Sequence, residues 1–217
     1  MAVVGCSPPG DSNGESAAPA GAPASAPSPA AAARTFVFAC PEGPRIVVRV
    51  EGEQAAVFAP GRTYLLPHVS AASGARFSDG TATFWSKGEE AAFDLPGGSW
   101  SGCRNDRAAA IWEHAKLDGA DFRAVGNEPG WVLVMYPDRW VFETGYGETR
   151  VEVPAAPPAE DRSAPRTVWE SEGGGHRLRI VAEPGPCQDS MADLIYETRV
   201  TVELDGVRHE GCGRALH

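Results

Sequence analysis

The stretch SGARFSDGTATFWSKGEEA, residues 73–91, decides the fold of the first half of the chain. It contains Phe, Trp and Thr, which favour strands. Phe77 and Phe84 stand on either side of Asp79-Gly80, a dipeptide typical of tight hairpin turns. The stretch therefore predicts a β-hairpin of two facing strands, with Ser73 and Lys87 on one rim.

Similar short segments recur outward from this hairpin and are separated by Pro/Gly breaks. They lie at 35–40, 45–50, 54–58, 63–66, 91–95 and up to residue 103, and again at 131–136, 139–144, 149–153, 167–171, 178–182 and 198–204. Short strands at this spacing predict an antiparallel sandwich or barrel. Residues 105–117 instead suit a helix, capped by Asn105 or Asp106 and ended by Gly119. The predicted class is mainly all-β, with β modules at 35–104 and 105–217, the second opening on the helix.

The first 34 residues have a different composition. Residues 7–33 are dominated by Pro, Ala, Gly and Ser and contain no aromatic or β-branched residue. Such a segment buries too little apolar surface to fold, so 1–34 is predicted to be a disordered tether. At its head, Val3-Val4-Gly5-Cys6 resembles the bacterial lipobox, in which the Cys receives a lipid. Only five residues precede Cys6, so the true start lies upstream or the match is accidental.

The five cysteines divide along these boundaries. Cys40 and Cys103 bracket the first module, and Cys187 and Cys212 lie near the end of the second. We predict one disulfide in each module and lipidation of Cys6. Reduced, buried thiols are the alternative. A metal site is disfavoured because no Cys-x2-Cys spacing exists and the histidines are scattered.

Charge and hydropathy exclude two classes of protein. The formal net charge is −10 and the pI about 5.0, so the basic footprint of a nucleic-acid-binding protein is missing. No apolar run approaches the roughly 20 residues of a spanning helix. Residues 121–217 hold ten Lys/Arg against seventeen Asp/Glu, so most of the acidity belongs to the second module.

The opening stretch also resembles the membrane-bound lysozyme inhibitor of c-type lysozyme family. The family pattern runs Ser-Gly-x-aromatic-x-(Asp/Asn)-Gly and then Phe-Trp-x-Lys-Gly-x-x-Ala. Here one extra residue, Ala75 or Arg76, precedes the aromatic Phe77, which stands where the family often has Tyr. Phe38-x-Cys40 and Cys103 complete the pattern. The resemblance implies a small eight-stranded antiparallel β-barrel with one disulfide, and a Ser and a Lys that enter the lysozyme cleft.

The lysozyme-binding residues predicted on this basis are Ser73, Lys87, Phe77 and Arg76, although Arg76 also suits a solvated face. A c-type lysozyme holds two carboxylates in its cleft. Lys supplies a compact ammonium with three donors, and Ser both donates and accepts. The rival reading is a Ser–Lys hydrolase. The spacing of Ser73 and Lys87 does not match a Ser-x-x-Lys motif, so no enzymatic activity and no cofactor are expected.

The second module resembles an uncharacterised family of bacterial envelope lipoproteins in residues 122–131, 187–191 and 211–213. Asn127, Glu128, Trp131, Asp189 and Ser190 are either a binding surface or turn and cap residues. The whole sequence predicts an outer-membrane lipoprotein that faces the periplasm, is anchored by lipid at Cys6 and inhibits c-type lysozyme. The alternative is a non-inhibitory envelope-binding or structural lipoprotein that shares only the barrel. The oligomeric state stays open.

Overall fold

The structure is a computed structural model that describes residues 1–3, 5, 32–159, 165–189, 191 and 194–217. Cys6, Ser190 and nearly all of the predicted tether lie outside the described residues. Lipidation of Cys6 therefore stays a prediction.

The described residues form sixteen strands and one helix. In chain order these are β1 (Arg34–Ala39), β2 (Arg45–Glu51), β3 (Gln54–Ala59), β4 (Arg62–Val69), β5 (Ala75–Ser78), β6 (Thr83–Lys87), β7 (Glu90–Leu95), β8 (Gly98–Asn105), α1 (Arg107–Leu117), β9 (Phe122–Asn127), β10 (Gly130–Met135), β11 (Arg139–Thr144), β12 (Thr149–Pro154), β13 (Thr167–Gly173), β14 (His176–Asp189), β15 (Leu194–Leu204) and β16 (Val207–Ala215).

The first eight strands close into an antiparallel barrel. Each strand pairs with the next, and β8 returns to β1 through Phe38 opposite Asn105 and Ala39 opposite Arg104. Alternation along the strands sends one set of side chains inward: on β4, Tyr64 and Leu66 are buried while Leu65 between them is 68% exposed. The Cys40–Cys103 disulfide joins the turn after β1 to β8. The predicted barrel and its disulfide are confirmed.

Aromatic rings fill the barrel core. Phe84 lies at the centre, with ring centroids 5.2 Å from Phe93, 5.7 Å from Phe38 and 5.8 Å from Phe77. Rings at these separations attract one another beyond their burial. The two strands of the opening hairpin thus contribute one ring each, Phe77 and Phe84, to the same stack.

Helix α1 follows the barrel directly and lies against β1. Asp106 is its N-cap: a carboxylate oxygen accepts from the Ala109 amide at 3.0 Å. The Asp106 amide donates to the Val37 carbonyl at 2.7 Å, and Thr35 Oγ1 lies 3.0 Å from His114 Nδ1. Of the two predicted caps, the structure therefore selects Asp106, and the helix is fixed to the barrel wall at two points along β1.

The remaining strands form one antiparallel sheet in the order β12-β11-β10-β9-β16-β15-β14-β13. Its edges approach each other, with Ser171 Oγ donating to the Pro154 carbonyl at 2.6 Å, so the sheet is a nearly closed second barrel. Cys187 and Cys212 are disulfide-bonded and tie β14 to β16. The predicted fold class, mainly all-β with two disulfides and one helix among the described residues, is confirmed; the domain boundaries at 34/35 and 104/105 stay predictions.

Candidate functional site

The β5–β6 hairpin is held by the side chain of Asp79. Its Oδ1 accepts hydrogen bonds from the Thr81 amide at 2.8 Å, the Thr81 hydroxyl at 2.8 Å and the Ala82 amide at 2.7 Å. These bonds, led by that from Ala82, hold the pKa of Asp79 below its usual value. Gly80 has a φ of +89°, which a turn glycine adopts without cost. The Asp79-Gly80 hairpin is therefore confirmed.

The open end of this hairpin brings Ser73 and Lys87 together. The last strand pair is Ala75 with Ser86, so Gly74 lies against the backbone of residues 86–87. A Cβ on Gly74 would lie 2.1 Å from the Ser86 oxygen and 3.3 Å from the Lys87 Cβ. Trp85 Nε1 donates to the Ser73 carbonyl at 2.9 Å. Both predicted residues thus lie exposed on one rim, fixed by Trp85 and by the close approach at Gly74.

Lys87 is exposed and has no carboxylate within ion-pair distance among the residues that the structure describes. The two acidic residues that follow it in the turn are engaged elsewhere. Glu90 lies 3.3 Å from Arg104 and Glu89 is bound by Arg107. The ammonium group is therefore available to a partner's carboxylates.

Glu89 fixes the Lys87 turn to the start of helix α1. Its carboxylate accepts from Arg107 Nη2 at 2.5 Å, Arg107 Nε at 3.1 Å and Asn105 Nδ2 at 3.2 Å. Its carbonyl accepts from the Asn105 amide at 2.9 Å. The Arg107 bonds lead in holding the pKa of Glu89 below its usual value. Sequence reasoning missed this anchor, because a contact across 18 positions leaves no local pattern.

Phe77 and Arg76, the other two predicted contact residues, point in opposite directions. Phe77 is 3% exposed; it stacks on Phe84, and the His68 ring meets it edge-on at 5.3 Å. Phe77 therefore supports the hairpin from within the barrel and offers little surface to a partner. Arg76 is exposed and lies opposite Trp85 on the outer face.

An open groove of about 670 Å³ runs along this outer face from the Ser73 loop. Trp85 and Trp100 form its apolar part, and Arg76, Asp94 and Ser99 form its polar part. Trp85 is 43% exposed. It is thus a rim residue, and the groove extends the exposed surface beside Lys87.

In the second sheet, the candidate residues fall into two groups. Asn127 Nδ2 donates to Asp189 Oδ1 at 2.7 Å, and the Met191 amide donates to the same oxygen at 3.0 Å. Trp131 is buried and donates to the Glu210 carbonyl at 3.1 Å, which makes it a core residue. Asn127 and Asp189 therefore lie together, whereas Trp131 packs in the core of the second sheet.

The described part of the chain has neither a metal-binding cluster nor a membrane-spanning helix. No group of three or more His, Cys, Asp or Glu residues there could hold a metal ion. Within the same residues, no helix has the length and apolar character needed to cross a membrane.

Comparison with known proteins gives one result for the barrel. Residues 38–99 match a family model. The family is the membrane-bound lysozyme-inhibitor of c-type lysozyme. The lysozyme-inhibitor match contains both Ser73 and Lys87, so the resemblance predicted from the sequence is confirmed for this part of the chain. An inhibitor family is consistent with a protein that has no chemistry of its own.

The lysozyme-inhibitor match ends before α1. The resemblance of residues 122–213 to an envelope lipoprotein family therefore stays a prediction. No curated protein and no solved structure matches the chain significantly.

Proposed function

We propose that this protein is a cell-envelope lipoprotein that binds c-type lysozyme and blocks its cleft with Lys87 and Ser73. One observation carries the proposal: within the barrel that matches the inhibitor family, Ser73 and Lys87 lie on one exposed, anchored rim, and Lys87 has no carboxylate partner among the described residues. Asp79, Trp85 and Glu89 hold the rim in place before binding. Preorganisation of this kind lowers the entropic cost of association.

The chemistry of the target suits these two side chains. Glycosidases of this class hold a general acid and an ionised carboxylate close together in a deep cleft. The Lys87 ammonium would donate to these carboxylates and neutralise their charge. The Ser73 hydroxyl would fill a neighbouring donor or acceptor position. A substrate sugar cannot enter while both are in place.

The decisive experiment measures lysozyme activity on cell-wall substrate against rising amounts of residues 32–217. Wild-type protein should inhibit fully at molar excess. Lys87→Ala should lose about 2–5 kcal/mol of binding free energy, roughly thirtyfold or more in potency, because two buried carboxylates are left without a partner. Ser73→Ala should lose less, about 1 kcal/mol, since it removes a neutral hydrogen bond.

Lys116→Ala is the matched control. The chain has two lysines, and Lys116 is exposed on helix α1, away from the rim. This variant should inhibit as the wild type does. Unchanged potency of both Lys87→Ala and Ser73→Ala would overturn the site. Co-precipitation of lysozyme with no loss of its activity would instead favour the non-inhibitory envelope protein.

We further propose that Cys6 carries the lipid that places the protein in the outer membrane, facing the periplasm. The family description, membrane-bound, supports an envelope location. Expression from the native locus, with the DNA upstream of Met1, should give a protein that incorporates labelled palmitate, and Cys6→Ser should abolish the label. A wild-type protein that stays unlabelled would contradict the anchor.

A further inference from the structure

Arg123 on β9 carries a charge that no described residue neutralises. Its side chain is buried, with 8% of the residue exposed, and its guanidinium has neither a hydrogen bond nor an ion pair within the described part of the chain. Burial lowers the pKa of Arg123 to about 10, so the group is still charged at neutral pH. A buried charge without a partner is strongly destabilising. Its presence needs an explanation.

A second arginine adds to the uncompensated positive charge. Arg214 on β16 is the direct cross-strand partner of Arg123. The two guanidinium carbons lie 4.7 and 4.8 Å from the centre of the same Trp112 ring. Like charges directly opposite each other destabilise a strand pair. The indole face compensates part of this cost, but it accepts no charge-assisted hydrogen bond.

Arg123 lines an open cavity of about 430 Å³ between α1 and the second sheet. The walls are mainly apolar and include the aromatic side chains of Trp112, Tyr146 and Tyr196. This volume lies in the range of small-molecule sites, which combine apolar walls with a few polar groups. The cavity is therefore large enough to admit a ligand beside the buried guanidinium.

The two acidic residues that line the same cavity are already engaged. Glu143 is bonded to Arg150, and Asp189 accepts from Asn127 and from the Met191 amide. Neither carboxylate compensates Arg123. Their negative charges would, however, repel a multiply charged anion such as phosphate. The cavity thus favours a ligand that bears one negative charge and an apolar body.

We propose that this cavity binds a carboxylate ligand with an apolar or aromatic body, whose carboxylate pairs with Arg123. The planar guanidinium fork matches a carboxylate in geometry, and the mainly apolar walls, with Trp112 and Tyr196 among them, would cover the remainder of the molecule. This site lies in α1 and the second sheet and makes no use of Lys87 or Ser73. It is therefore independent of the lysozyme proposal.

Calorimetric titration of residues 32–217 with 3-phenylpropionate tests the proposal, with 3-phenylpropanamide as the uncharged match. The acid should bind with a Kd on the order of 0.1–1 mM, and the amide roughly tenfold or more weakly. Ala-Ala-Phe with a free or an amidated carboxyl terminus forms the second arm. Tighter binding of the tripeptide acid than of phenylpropionate assigns the site to peptide termini, and the reverse order assigns it to free organic acids.

Arg123→Met separates a binding role from a structural one. It should abolish the preference for acid over amide and raise the Tm of the unliganded protein, because an unpaired buried charge is removed. Arg139→Gln is the control: Arg139 also lies over an aromatic ring, Tyr136, but it is half-exposed and paired with Asp138. It should bind the acid as the wild type does. Equal binding of acid and amide by the wild type, or unchanged acid binding by Arg123→Met, would overturn the proposal.

Discussion

At the scale of single residues, His209 is the buried group whose protonation the fold opposes. It is 5% exposed, its Nδ1 has no hydrogen-bond partner among the described residues, and its ring lies 5.2 Å from Phe142 in the core of the second sheet. Burial lowers the pKa of His209 below its ordinary value of 6.5. The folded protein therefore holds this imidazole neutral at a pH at which the unfolded chain protonates it.

The sign of the resulting pH dependence follows from proton linkage. Well above pH 6.5, neither the folded nor the unfolded state binds a proton at His209, and this group takes nothing from the free energy of unfolding. As the pH falls from there towards the folded-state pKa, the unfolded state binds more protons, and the free energy of unfolding decreases. Urea unfolding from about pH 8 to 5 should show this decrease in the wild type, and His209→Leu should remove it.

The matched control for His209 is His176→Gln. His176 is half-exposed and contacts Asp205 at 2.7 Å at the start of β14. Its replacement should leave the decrease in place. A wild-type curve that is flat over this range would contradict the assignment of His209 as the titrating group.

At the scale of elements, the β4–β5 loop depends on one glycine. Gly74 has a φ of +71°, and the Ser86 oxygen leaves no room for a Cβ. Gly74→Ala should therefore combine backbone strain of about 1–3 kcal/mol with a displaced loop. It should lower the free energy of unfolding and, by moving Ser73 from Lys87, weaken lysozyme inhibition.

Gly52→Ala is a control that introduces backbone strain without displacing a neighbouring loop. Gly52 has a φ of +55° in the β2–β3 turn, and nothing lies within 4 Å of the position that a Cβ would take there. This variant should lose about 1 kcal/mol of stability and keep full inhibition. Equal inhibition by the Gly52 and Gly74 variants would show that the loop backbone does not position Ser73.

Local patterns predicted the elements better than the contacts between them. Alternation and Asp79-Gly80 sufficed for the β5–β6 hairpin, because both act within a few residues. The burial of Arg123 could not be predicted from local patterns. Alternation along β9 would place it on the outer face, towards solvent, but Trp112 of α1 covers that face. Which strand a helix covers is decided by tertiary packing, and no local period encodes it.

At the scale of the whole molecule, the two disulfides cross-link loops of different length. Cys40–Cys103 spans 63 positions and Cys187–Cys212 spans 25, so chain entropy predicts losses of about 4 and about 3.5 kcal/mol on their removal. The Cys40→Ala/Cys103→Ala protein should be the less stable of the two double variants in urea.

Lysozyme inhibition should differ more between these two double variants than their stability in urea does. The first disulfide holds the barrel that carries Lys87, whereas the second lies wholly in the other sheet. At equal concentration, the Cys187→Ala/Cys212→Ala protein should retain lysozyme inhibition and the Cys40→Ala/Cys103→Ala protein should lose much of it. The opposite order would place the inhibitory surface outside the barrel.

The bonds from Asn105 and Arg107 to Glu89 also bear on how this protein can be divided. The residues that steady the Lys87 turn come after the segment that matches the inhibitor family. A fragment cut at residue 104 would keep all but the last residue of the barrel strands and would lose these bonds to Glu89. If the proposed function holds, the junction between the two halves supports the lysozyme-binding rim, and the smallest autonomous inhibitor should extend through helix α1.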